Sequence, residues 1–216
     1  NPIQRVYEDE LTGAYSQVKV PGILVSNPVA TAKERKFNYA TSRLLGDIYA
    51  QWEIIPDLRL KVSLGTDIMY HKTNRYTPST IYQANGTATA QIGINKSINW
   101  LNENTLTWNK TFAEDHDLNL LGGFTMQKNN TEYVMASSSN FVNDVMEYNN
   151  LGAGSVYNKP ESNAMQWSLM SYLARVNYTL KHKYLFSVNA RVDGSFRFRA
   201  NTKYRLFPSA SVGWRI

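Results

Sequence analysis

Cysteine is absent from the 216 residues, which excludes disulfides, thiolate metal sites and cysteine nucleophiles together. The histidines His71, His116 and His182 are far apart and make no HExxH-type spacing, so no metal site is expected. Gly122-Gly123 and Gly152-Ala153-Gly154 lead into neither a helix nor a Lys-Ser/Thr pair, which removes a phosphate loop and leaves no cofactor to expect. No apolar run approaches the roughly 20 residues that a spanning helix requires, and mean hydropathy is −0.42. A helical membrane protein is therefore excluded. The start, Asn1-Pro2-Ile3-Gln4, has no basic and apolar leader. Asp47 and Glu53 share a strand face but stand too far apart for a carboxylate pair, and an enzyme is not expected.

What the chain has is an alternation of apolar and polar residues that holds its phase. Leu58, Leu60, Val62, Leu64, Ile68 and Tyr70 point one way, while Arg59, Lys61, Ser63, Asp67 and His71 point the other. Period two describes a strand with one apolar face. The preceding segment sets Leu44, Gly46, Ile48, Ala50, Trp52 and Ile54 against Leu45, Asp47, Tyr49, Gln51 and Glu53. About seven such segments are expected, near residues 42–55, 58–71, 98–112, 117–128, 166–180, 184–193 and 206–216, each long enough for a tilted membrane strand of about 9–11 residues. Low mean hydropathy is compatible with this, because every second residue of such a strand faces water or a polar lumen.

Charge follows the same phase. The net charge of +6 could suggest nucleic acid, yet the apolar faces carry essentially Lys110 alone. The opposite faces carry Asp47, Glu53, Arg59, Lys61, Asp67, Glu103, Arg175, Arg191, Asp193 and Arg215. These are the lumen-facing candidates, and no nucleic-acid partner is expected. A soluble β-sandwich also has an apolar inner face, so alternation alone leaves that architecture open. Aromatic placement favours a membrane barrel, since Trp52, Trp108, Phe112, Tyr178, Tyr184 and Trp214 lie near one set of strand ends, as an interfacial girdle does.

The connections are of two kinds. Ile55-Pro56-Asp57, Ala113 to His116 and Lys181-His182-Lys183 are tight turns, whereas 72–97, 129–165 and 194–205 are long, and 1–41 reads as an extracellular loop region. Outer-membrane barrels place short turns in the periplasm and long loops outside. The loops are rich in hydroxyl, amide and tyrosine side chains, so Tyr76, Tyr82, Tyr148 and Tyr157 are candidate contacts for carbohydrate or peptide; such composition is also ordinary for loops. Residues 141–148 fit either a short helix or an irregular turn. Arg197, Arg199, Lys203 and Arg205 form a basic cluster suited to lipopolysaccharide phosphates, and equally to a solvated loop. The Asn-x-Ser/Thr triplets at Asn85, Asn109 and Asn177 read as chance in an asparagine-rich chain. Seven strands cannot close a bacterial barrel, where the number is even and at least about eight, so a piece of a larger wall is expected.

Residues 193–216 carry a resemblance. Asp193-Gly194-Ser195-Phe196-Arg197-Phe198, then Asn201, Tyr204 and Phe207-Pro208-Ser209-Ala210-Ser211-Val212-Gly213-Trp214-Arg215-Ile216, resemble the barrel of the SusC/RagA family of TonB-dependent outer-membrane transporters of Bacteroidota. The stretches Glu103 to Phe112 and Ser171 to Tyr178 are similar to other recurrent segments of that family, and the resemblance covers most of 42–216. It differs at Phe196, where the family has a small residue, and at Arg199, where it has glycine. The resemblance implies an all-β, antiparallel transmembrane barrel of about 22 strands around a plug, of which this chain supplies a C-terminal part. It further implies active import of oligosaccharides or peptides across the outer membrane of a Gram-negative bacterium. The implied partners are outer-membrane lipid and lipopolysaccharide, a SusD-like lipoprotein lid, and a TonB complex that engages the plug. A passive porin, an adhesin barrel or a soluble glycan-binding sandwich are the competing readings.

Overall fold

The computed structural model describes residues 5–16, 18–20, 23–81, 87–197 and 203–216. Two short strand pairs come first, β1 (Tyr7–Asp9) with β2 (Ala14–Tyr15) and β3 (Val18–Val20) with β4 (Ile23–Val25). A helix, α1 (Pro28–Glu34), follows. Its start is written in the sequence: Pro28 suits the first helical position, and Asn27 Oδ1 accepts the Val29 N–H at 2.9 Å. The amide of Asn27 also donates to the Val6 carbonyl at 2.8 Å and the Ser16 carbonyl at 3.1 Å, tying the helix to the first hairpin.

The main sheet is built from long strands: β5 (Lys36–Ile55), β6 (Leu58–Thr77), β7 (Thr89–Phe112), β8 (His116–Phe141), the short β9 (Gly154–Tyr157), β10 (Glu161–Leu180), β11 (Tyr184–Ser195) and β12 (Tyr204–Trp214). Their spatial order is β12-β11-β10-β8-β7-β6-β5, an antiparallel meander, with β9 pairing only with the end of β8. The tight turns fall where the sequence places them. Asp57, Ala113, Glu114, Lys181 and His182 all take positive φ there, the backbone hand that matches short hairpin loops to the twist of their strands.

The strands are longer than the alternation indicates. The expected loops 72–97 and 129–165 are largely strand: β6 runs to Thr77, β7 begins at Thr89, β8 continues to Phe141 and β10 begins at Glu161. The expected loop 1–41 likewise gives up its end to β5, which starts at Lys36, and holds β1 to β4 and α1. The reason is physical. Beyond residue 71 both faces of the strand are polar, Thr73 and Arg75 on one side and Lys72 and Asn74 on the other, so the period-two contrast vanishes while the backbone pairing continues. Residues 141–148 form bends followed by 3₁₀ turns at Glu147–Asn149 and Leu151–Ala153, the irregular alternative rather than an α-helix.

By contacts the chain divides into two units. The first takes Asn1–Ser42, Tyr70–Lys96 and Glu132–Ala164; the second takes Arg43–Met69, Ser97–Thr131 and Met165–Ile216. In the first unit Tyr76, Ala88 and Ala90 form a small buried core, against which Phe141, Tyr148 and Leu151 pack. Among the described residues, the fully buried apolar side chains Ala30, Tyr76, Ile81, Ala88 and Ala90 all belong to this unit. Among the described residues, the second unit buries no apolar side chain.

Candidate functional site

The registers of β10, β11 and β12 sort the second unit into two faces. On one, Val176 lies opposite Val188 and then Ala210, Tyr178 opposite Phe186 and Val212, and Leu180 opposite Tyr184 and Trp214. On the other, Arg175 lies opposite Asn189 and Ser209, and Asn177 opposite Ser187 and Ser211. The apolar, even-numbered face is bare: Val188 is 56% and Val212 76% exposed. Trp52, Phe112, Tyr184 and Trp214 of the expected girdle are exposed too. An apolar sheet face with nothing on it is what lipid would cover.

Polar side chains bridge the odd-numbered face from strand to strand. Asn119 donates to Asn109 at 2.6 Å, Asn177 to Asn119 at 3.2 Å, and Ser187 to Asn177 at 2.8 Å, a chain of hydrogen bonds across β7, β8, β10 and β11. Such bridges satisfy amides that a closed lumen would partly desolvate.

The lumen-facing candidates lie within this face or at its ends. Asp67 accepts both Nε and Nη2 of Arg43, at 2.8 and 2.9 Å, a bidentate pair. Arg191 reaches Asp193 at 2.6 Å and the Ser171 hydroxyl at 3.2 Å. Arg175 donates to Asn189, whose amide continues to Ser209 at 3.3 Å. Lys61 sits over the Tyr49 ring at 4.6 Å. Glu53 accepts the Asp57 N–H at 3.2 Å and so serves the turn. Asp47 flanks Gly65, Glu103 lines a depression with Arg191, Arg59 is exposed, and Arg215 lies beyond β12, 3.5 Å from the His182 carbonyl.

The loop candidates fare differently. Tyr76 is 2% exposed, and its hydroxyl donates to Asp144, which also accepts the Ser79 hydroxyl at 2.9 Å. Burial first, then the bond to Asp144, holds its phenol above the ordinary tyrosine range. It is a structural residue, because ring and hydroxyl are both already engaged. Tyr148 packs on the same core and accepts from Asn38 at 2.6 Å. Tyr157 is exposed and donates to the Gly152 carbonyl at 3.2 Å. Arg197 lies over Trp167 at 5.3 Å, and Lys203 over Phe196 at 3.3 Å, so these cations are held on rings. Arg205 pairs in register with Asp193 on the strand instead of standing in the loop. Tyr82 and Arg199 lie outside the described residues.

The first unit contains a groove that no motif or periodicity in the sequence marks. Phe37, Tyr39, His71, Thr73, Arg75, Gln91, Tyr133 and Met135 are among the residues lining two adjoining depressions of about 530 and 350 Å³, which share Arg75 and Gln91. Tyr39 stacks on His71 with centroids 5.4 Å apart, and His71 Nδ1 lies 3.0 Å from the Tyr39 hydroxyl and 2.7 Å from that of Thr41. Arg75 lies over Phe37 at 4.9 Å. Phe37 and Tyr39 on β5 and His71, Thr73 and Arg75 on β6 keep the odd-numbered phase, with Gln91 on β7 and Tyr133 and Met135 on β8 beside them, but with both strand faces polar here no contrast in the sequence marks them. Among the described residues there is no cluster of three or more histidine, aspartate or glutamate side chains able to hold a metal.

No protein-family profile matches the chain. Its sequence is 35% identical over 193 residues to the TonB-dependent receptor P3 of Formosa agariphila, covering 89% of this chain and 19% of that protein. It is 29% identical over 221 residues to TonB-dependent receptor P26 of the same organism, covering 100% of this chain and 22% of that one. A 49-residue stretch, 23% of the chain, is 45% identical to the TonB-dependent receptor SusC of Bacteroides thetaiotaomicron, where it spans 5%. The chain thus spans about a fifth of the length of the curated relatives that it matches along most of its own. In fold it superposes on the RagAB peptide transporter with a TM-score of 0.83 at 23% identity, over 92% of this chain and 23% of that one. The RagAB peptide importer in its "closed-closed" state gives the same score over 93% of the chain.

Proposed function

The chain belongs with the TonB-dependent receptors of the SusC/RagA group as a stretch of their barrel wall, and on that premise we propose that it forms part of an active importer in the outer membrane of a Gram-negative bacterium. The observation that carries this reading is the register-resolved sheet with one bare apolar face and one hydrogen-bonded polar face. The even-numbered face meets lipid. The odd-numbered face meets a plug and passing cargo, with Asp47, Glu53, Arg59, Lys61, Asp67, Glu103, Arg175, Arg191, Asp193 and Arg215 along the lumen. Ion pairs and hydrogen bonds engage Asp67, Arg191, Asp193 and Arg175 along this wall, while Arg59 stands exposed.

The tight turns lie at the periplasmic rim and the long strand ends outside. Strands of 20 to 26 residues are about twice what the bilayer needs, so their outer parts stand in water, beside a SusD-like lid. Arg197 and Lys203 lie where lipopolysaccharide phosphates are available. Cargo is an oligosaccharide or peptide, and energy reaches the plug through a TonB complex.

The test uses the complete transporter in its host membrane, offered labelled glycans and peptides with and without the proton gradient. Uptake that stops when the gradient is dissipated supports the importer. Uptake that continues at the same rate would identify a passive pore.

A further inference from the structure

We propose that the groove of the first unit is a subsite for an anionic oligosaccharide, a glycan bearing carboxylate or sulfate groups. The proposal rests on the importer reading and adds the class of cargo. Its first support is charge. Arg35, Lys36 and Arg75 line the larger depression, and no carboxylate lines either depression. Lys36 is paired with Glu147, but among the described residues neither Arg35 nor Arg75 has an ion-pair partner. Glu34, next in sequence to Arg35, accepts the Thr80 hydroxyl and stands outside the lining. Arg75 is held by the Phe37 ring at 4.9 Å. A guanidinium stacked in this way keeps its N–H edge free for bidentate bonding to a carboxylate or sulfate.

The second support is what surrounds the cations. Thr73, Thr77, Gln91, Asn95, Ser137 and Asn158 offer hydroxyls and amides, which both donate and accept as sugar hydroxyls require. Phe37 and Tyr39 are 57% and 59% exposed; Arg75 covers one face of the first ring and His71 one face of the second, which leaves the opposite faces for the C–H side of a sugar ring.

A peptide fits less well. Its main chain is usually recognised by pairing along a strand edge, whereas the depressions are lined by side chains on the face of β5 to β8.

The experiment measures binding to the purified complete transporter with its lid protein. The probes are an oligogalacturonate, a sulfated dextran oligosaccharide, a neutral maltooligosaccharide of equal length and an acidic peptide. We expect one of the two anionic glycans to bind at least tenfold more tightly than the neutral glycan or the peptide, with an affinity that falls as salt rises. Which of the two binds identifies the anion. Arg75→Ala combined with Arg35→Ala should weaken that binding by about tenfold or more, and Arg75→Lys should recover part of it. Membrane levels of each variant control for assembly. Equal binding of neutral and charged glycans, preference for the peptide, no binding by either anionic glycan, or indifference to the arginine changes would each overturn the proposal. Gradient-dependent uptake is read separately, so anionic binding without energised uptake defeats the importer reading and leaves the subsite standing.

Discussion

The two units of this chain use the same strands in opposite ways. In the first, Tyr76, Ile81, Ala88 and Ala90 are buried, and Phe141 at the end of β8 with Tyr148 and Leu151 beyond it packs against Tyr76, Ala88 and Ala90. Its stability follows the ordinary rule of apolar groups removed from water. The second has no buried apolar side chain among the described residues, although Val62, Val176, Val188 and Val212 repeat along its even-numbered face. A single sheet with that face bare needs a cover in place of a core, which on the proposed reading is lipid. On the proposed reading the difference teaches that one chain can be written for two solvents, the phase of the alternation unchanged and its contrast switched on or off.

The largest expected effect tests the solvent directly. Val188→Arg, on the bare face of the second unit, should cost roughly 2–4 kcal/mol in the folding of the complete barrel into bilayers if it lies near the midplane. Val134→Arg, on an exposed position of the first unit, should stay within about 0.5 kcal/mol. Equal costs measured by denaturant titration in lipid would erase the distinction between the units.

Neighbouring glycines then compare the two faces. A methyl group at Gly123 would come within 2.9 Å of Leu173 Cγ, whereas one at Gly122 would meet nothing within 4 Å. Gly123→Ala should therefore destabilise by about 1–3 kcal/mol, and Gly122→Ala should be neutral or slightly favourable. Both follow from the same titration.

Smaller effects are expected in the first unit. Tyr76→Phe removes the bond to Asp144 while keeping the ring, for a loss of about 1 kcal/mol that hydrogen exchange should localise to residues 141–153. Because the native phenol is raised above its unfolded value of about 10, its contribution is complete below that pH and declines above it. The same exchange pattern should therefore loosen as pH rises past the ordinary phenol range. Weakest of all, Arg43→Ala should cost about 0.2–1 kcal/mol, less at high salt, since both partners of the Asp67 pair are partly exposed.

The strand faces were legible because an apolar face beside a polar one is a contrast that the sequence itself carries at period two. Arg175, Arg191 and Asp193 were assignable to one side from their spacing alone, and the registers of β10 to β12 put them there. The groove was not legible. Around Tyr39, His71 and Arg75 both strand faces are wet, so no periodicity marked Thr73 or Gln91 as strand residues. Tyr76 misled for a related reason: a tyrosine among threonines and asparagines looks like a loop contact, and only the packing of residues 141–151 shows that it is buried. Arg205 was drawn into a loop cluster because hydropathy does not reveal that β12 starts at Tyr204.

The central claim is the assignment of the two faces, and adjacent positions on β11 test it most directly. In the complete transporter, with any other cysteines removed, Val188→Cys and Asn189→Cys would each carry a fluorophore, read with a nitroxide quencher fixed on lipid tails. Strong quenching at 188 with little at 189, where an aqueous maleimide reacts instead, is the predicted result. Quenching at 189, or free aqueous reaction at 188, would contradict the account.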